Sequence, residues 1–153
     1  VSARTTPRDY TIKDAAALTG LPASTLRYYE SVGVIAPISR GESSRHRVYD
    51  ENDLGQLLAI ACLAATGMSV SDMKEYVANA QLGAGAAPAQ IELLTQRRQQ
   101  LAVEARQMAL RQRYVDLKID YWRAIDAGDE ARATLLAAEA SALADDLKNT
   151  KKR

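Results

Sequence analysis

Two groups of residues in this chain could do chemistry on a polyanion, and one could do covalent chemistry. The first lies in ASTLRYYE, residues 23–30, which carries Ser24, Thr25, Arg27 and Tyr28. Hydroxyls of Ser and Thr bond phosphate or base edges, Arg bonds guanine bidentately or phosphate, and Tyr bonds phosphate. Arg27, Tyr28 and Tyr29 occupy three successive positions, which on a helix point in three directions, so at least one large polar group faces outward. The plainer reading puts Leu26 and Tyr29 in a core and leaves Arg27 and Tyr28 as ordinary surface. The second group is in APISRGESSRHRVYD, residues 36–50, where Arg40, Arg45, His46 and Arg47 cluster around a Gly- and Ser-rich tip. The third is a lone thiol, Cys62.

These residues need elements to position them. Thr11 reads as the cap of a helix over Ile12–Leu18, with Asp14 three residues later completing a capping box. Gly20 suits a left-handed helix end, and Pro22 forbids continuation. A second helix follows over about Ala23–Ser31 and ends at Gly33, which gives a helix-turn-helix pattern. Its N-terminus adds a positive dipole end that favours phosphate. Ile38 and Val48 flank the polar tip, so this stretch reads as a two-stranded hairpin, a basic wing. A third helix starts at Asp50, again with an acid three residues on, and runs to about Thr66 before Gly67. Ser69 with Asp72 starts a fourth, ending near Ala80. The stretch QLGAGAAPAQ reads as a linker or elbow.

From Pro88 the pattern changes. Leu94, Leu101, Met108, Val115 and Trp122 recur every seven residues, and Ala105 and Ile119 sit four residues after Leu101 and Val115. That is a coiled-coil seam, imperfect because Arg98 and Gln112 hold the companion position. A long helix with one apolar seam draws its stability from packing, so a partner helix is implied, and a second copy of this chain is the simplest one. A further stripe, Leu110, Tyr114, Leu117 and Tyr121, lies on another face and is free to dock on the first part of the chain. An amphipathic helix follows Gly128. The organisation expected is a flexible tail over 1–9, a winged helix-turn-helix over 10–80, a linker over 81–89, a dimerisation helix over 90–127, and a C-terminal helix and tail over 128–153. The fold class is mainly α.

Net charge is +1, so bulk charge alone does not point to nucleic acid. The first 49 residues are more basic, with seven Lys or Arg against four acids. One cysteine allows no intrachain disulfide and suits a reducing cytoplasm. No apolar run approaches the roughly 20 residues that span a bilayer, and no signal peptide is visible. One His and one Cys in separate elements make neither a metal site nor a catalytic set, and GAGAAP lacks the Lys and Ser/Thr of a phosphate loop. No metal, no cofactor, no enzyme activity and no membrane association are expected.

YTIKDAAALTGLPASTLRYYESVGVI, followed by RVYDENDLGQL and ATGMSVSDMKEYV, resembles the MerR family of transcription regulators. The resemblance covers about residues 10–80, and the long helix fits that family's dimerisation coiled coil. It implies a homodimer that binds an inverted repeat in promoter DNA and distorts it so that RNA polymerase can use both promoter elements. Such bending costs on the order of 1–6 kcal/mol by elastic reckoning. Residue by residue, it implies DNA contacts from Thr25, Arg27 and Tyr28 on the recognition helix and from Arg40, Arg47 and Tyr49 on the wing. One position departs from the family pattern: Arg45 stands where Gly is usual, two residues before the wing Arg47.

CLAATGMS and DLKIDYW resemble a short subgroup of that family that responds to aldehydes and other electrophiles. In that subgroup the lone Cys is the switch, alkylated or oxidised, which implies a sensing role for Cys62 through electrophile or oxidative modification. The residues themselves leave another reading open. Leu54, Leu58, Cys62 and Ala65 form a stripe at helical spacing, and free Cys is among the most buried residue types, so Cys62 also reads as core. In that case the effector would be a non-covalent small molecule. A helical scaffold without DNA binding would fit the long helix but leave the wing and TLRYYE unexplained.

Overall fold

The computed structural model describes residues 8–150. It holds α1 (Ile12–Thr19), α2 (Ala23–Val32), α3 (Glu51–Ala65), α4 (Val70–Leu82), a 3-10 turn (Gly83–Ala86), α5 (Ala87–Asp126), α6 (Glu130–Ala142) and α7 (Ala144–Asn149). The chain divides into two compact units, one up to Thr95 and one from Gln96.

The first unit is the head. Thr11 and Asp14 form the reciprocal capping box that starts α1, and Asp50 and Asp53 do the same for α3. Each such cap contributes about 1 kcal/mol. Ser69 caps α4. Gly20 and Gly33 end α1 and α2 with φ of 74° and 81°, a conformation that glycine adopts without steric cost. The core joins Ala15 of α1, Leu26 and Tyr29 of α2, then Val34, Ile35 and Ile38, then Tyr49 of the wing, then Leu54, Leu57 and Ile60 of α3, and finally Met68 and Met73.

The wing is slighter than a hairpin. Among the described residues the antiparallel pairing is confined to single bridges, Arg40 with Arg47 and Tyr10 with Tyr49. Within the wing, Val48 donates to the Ser39 carbonyl at 2.8 Å, and Gly41 to that of His46 at 2.9 Å. The stretch 81–89, expected as a linker, is helical: α4 runs to Leu82, and the 3-10 turn leads straight into α5. Gln90 ties the start of α5 to α4 by bonding the Tyr76 carbonyl and the Asn79 side chain. The expected tail over 1–9 lies mostly outside the described residues; Arg8 and Asp9 are exposed, and Tyr10 already pairs with Tyr49.

The second unit is a helical hairpin. Gly128, with φ 69°, ends the chain's run along α5, and Asp129 caps α6. Leu117 and Ala124 of α5 pack on Ala133, Leu136 and Ala140 of α6, with Tyr114 and Tyr121 at the margin. Leu117, Tyr114 and Tyr121 of the second stripe therefore pack in the α5–α6 cluster. Arg111 bonds Thr150 twice, which fixes the end of α7.

Candidate nucleic-acid interface

The sequence TLRYYE resolves into two faces on α2. Leu26 and Tyr29 enter the core, while Ser24, Arg27 and Tyr28 are exposed and Thr25 is half-buried. Pro22 precedes the helix and provides no side-chain cap, and no acid stands in the first turn of α2. Arg27 and Tyr28 stand one turn along from it.

Arg27 also borders a concavity of about 250 Å³. Its walls are Thr11, Ile12 and Lys13 from the start of α1, Arg27 from α2, and Arg40, His46 and Arg47 from the wing. Four permanent cations line it and no acid does. Like charges gathered around a hollow focus a positive field and favour an anion of phosphate size. Sequence reasoning found Arg27, Arg40, His46 and Arg47 but missed Lys13. The signal was present, because Lys13 sits just inside a capped helix start.

Arg47 is the least free of the group. Its Nε donates to Glu30 Oε2 at 2.6 Å, and both side chains are largely shielded, at 19% and 12% exposure. The other carboxylate oxygen of Glu30 accepts from the Ile38 amide at 3.0 Å. Burial pushes the Glu30 carboxyl up, but the Arg47 hydrogen bond, the Ile38 amide and the charges of Arg47 and Arg40 outweigh it. The net result holds Glu30 below the usual carboxylate range.

Two expectations change. Tyr49 does not reach the surface: it is fully buried in the head core, and its hydroxyl has no hydrogen-bond partner among the described residues. Burial raises its pKa, with the Arg47 charge opposing. The antiparallel bridge to Tyr10 turns its side chain inward. Cys62 is not part of the core stripe either. Leu54, Leu57 and Ile60 are the buried residues of α3, whereas Leu58, Cys62 and Ala65 are exposed.

Arg45 has φ 57°, so the residue standing in place of the usual Gly adopts the left-handed conformation that Gly would take freely. For a non-glycine residue this costs roughly 1 kcal/mol. Arg45 is exposed, and its carbonyl accepts from Arg40 Nη1 at 3.2 Å. On α5, Leu94, Leu101, Met108, Val115, Ile119 and Trp122 are all exposed, from 38% at Leu101 to 64% at Trp122. Among the described residues no three His, Cys, Asp or Glu side chains come together to hold a metal, and no helix is long and apolar enough to cross a membrane.

The profile described as MerR HTH family regulatory protein matches residues 10–80. This chain is 39% identical over 82 residues to the HTH-type transcriptional regulator AdhR of Bacillus subtilis, covering 54% of this chain and 58% of that protein. It is 43% identical over 68 residues to the uncharacterized HTH-type transcriptional regulator YyaN of Bacillus subtilis, covering 44% and 49%. The matched segment thus spans about half the length of these curated relatives. HiNmlR, a MerR family regulator lacking the sensor domain and solved bound to promoter DNA, shares the fold with a TM-score of 0.68 at 24% identity, over 82% of this chain and 96% of that one. A solved MerR family transcriptional regulator from Listeria monocytogenes matches with a TM-score of 0.67 and 30% identity, over 84% of this chain and 98% of that one. With its helix-turn-helix segment matched and nearly all of the Listeria chain covered, this chain belongs to the MerR family of transcription regulators.

Proposed function

We propose that this protein is a dimeric regulator that grips promoter DNA with two heads, one per half-site, and distorts it to control transcription by RNA polymerase. The observation that carries this reading is the convergence of Lys13, Arg27, Arg40, His46 and Arg47 from three elements on one acid-free concavity, beside the exposed face of α2. Ser24, Thr25, Arg27 and Tyr28 read the groove and its edges. Arg40, Arg45, His46 and Arg47 hold the flanking backbone. HiNmlR, similar in fold, is itself bound to promoter DNA. The exposed seam on α5 supports the dimer, because six large apolar side chains on one helix are costly to leave in water. A second copy covers them and sets the spacing of the two heads. The protein works in the cytoplasm as a binding protein, not as an enzyme.

The test is duplex binding by anisotropy across a salt series. A regulator loses affinity steeply, with log K falling against log salt by about 0.9 per phosphate neutralised. Binding that is absent at low salt, or that does not respond to salt, would rule the reading out.

We assign the switch to Cys62. Its thiol is exposed on α3, next to exposed Leu58 and Ala65, so an electrophile reaches it without unfolding the head. The thiol gives its proton to solvent and the thiolate sulfur bonds the electrophilic carbon; with an aldehyde the C=O π bond breaks, the oxygen takes a proton from solvent, and the product is a hemithioacetal. The adduct adds bulk to α3 and changes how the head is set for DNA. A Cys62→Ser protein is expected to bind DNA normally and to ignore aldehyde in a promoter-reporter assay. A full response from that variant would move the switch to a non-covalent effector.

A further inference from the structure

The wing has a mechanical problem. Few backbone bonds join its two arms, and the residues directly opposite each other are Arg40 and Arg47. Like charges facing across a strand pair repel. A wing built this way is held poorly by its own ladder. Its orientation must come from contacts to the rest of the head, where Ile38 and Tyr49 anchor its two ends in the core.

Glu30 adds a polar contact to both arms. It sits in the last turn of α2, three residues after Arg27 and two after Tyr28. One oxygen accepts from the amide of Ile38, on the outgoing arm. The other accepts from Arg47 Nε, on the returning arm. A single carboxylate thus binds both arms to the helix that carries the groove-reading residues. Arg47 also lines the concavity, together with Lys13, Arg27 and Arg40. We infer that Glu30 is a positioning residue for DNA binding: it locks the wing to α2 and presents Arg47 to a backbone phosphate. The inference rests on the DNA-binding reading given above.

The sign of the effect makes this testable. Removing an acid from a surface that meets a polyanion strengthens binding if the acid only adds repulsion. Removing a positioning acid weakens binding instead, despite the gain in net positive charge. The experiment measures affinity of wild type, Glu30→Gln, Arg47→Ala and the double variant. The probe is a fluorescent duplex selected from a random-sequence pool by the wild-type protein. Each affinity is taken across a salt series, and thermal melting by circular dichroism confirms that each variant is folded.

Glu30→Gln is expected to bind roughly tenfold more weakly, the scale of one charge-assisted hydrogen bond. Its salt slope should be shallower by about one phosphate contact. In the Arg47→Ala background the same change should cost nothing further, because Glu30 acts through Arg47. Equal or tighter binding by folded Glu30→Gln would overturn the inference. So would an undiminished loss in the Arg47→Ala background. Failure of the wild type to select or bind any duplex would instead overturn the DNA-binding reading, and this inference with it.

Discussion

At the scale of single residues, burial and pairing separate side chains of similar type. Tyr28 and Tyr29 are neighbours, yet Tyr28 is half exposed and Tyr29 is core. Tyr49 is fully enclosed, and its hydroxyl has no partner among the described residues. An unsatisfied buried polar group costs about 1–3 kcal/mol. Tyr49→Phe is therefore expected to leave stability unchanged or raise it by about 1 kcal/mol in urea titration, and to leave DNA affinity unaltered. A large loss of affinity would return Tyr49 to the DNA-contacting surface. Glu30 makes a prediction in pH. Its folded pKa lies below the ordinary 4.5. The stability it contributes is therefore fully present above that value and is lost as pH falls through the folded pKa. The stability difference between wild type and Glu30→Gln should be flat at neutral pH and shrink below about pH 4.5. A gap that instead grows in acid would contradict the ion pair as the cause.

At the scale of elements, α5 shows how one helix divides its faces. Leu117 and Ala124 go to α6, while Val115, Ile119 and Trp122 stay exposed. Periodicity finds both stripes but does not assign their partners. Leu136 is the largest α6 side chain against α5, and truncating it to Ala should cost about 2–3 kcal/mol. Because the hairpin is a unit of its own, that loss should appear as faster hydrogen exchange in α6 and the last half of α5, with α1 to α4 unchanged. Equal acceleration in α3 would mean that hairpin and head unfold together. The wing shows the opposite economy: little backbone pairing joins its arms, its ends are anchored by Ile38 and Tyr49 in the core, and one carboxylate bonds both arms to α2.

At the scale of the whole molecule, the proposed grip depends on two heads held together. Met108 lies at the middle of the seam and is half exposed. Met108→Lys should shift sedimentation from dimer to monomer while the head melts as before. Uncoupling two half-site contacts removes their effective concentration, so affinity for a two-half-site duplex should fall about a hundredfold. A monomer that binds as tightly as wild type would mean that one head carries the affinity alone.

The sequence by itself determined the punctuation of this protein. Thr11, Asp14, Asp50, Asp53 and Ser69 cap the helices they announce, and Gly20 and Gly33 end helices, because caps and left-handed turns are local events between residues a few positions apart. It also supplied the basic residues of the wing and α2, and the family resemblance they carry. Tertiary structure decided the rest. Helix α3 carries apolar residues on several sides, so several stripes satisfy a 3.6-residue period, and only packing on α1 and α4 selected Leu54, Leu57 and Ile60 over Leu58 and Cys62. Tyr49 went inside because its backbone pairs with Tyr10, thirty-nine positions away. Lys13, Arg27 and Arg40 became one site, and Glu30 its tether, only when chain folding brought three elements together. Charge and burial at that site depend on neighbours in space, which no local pattern encodes.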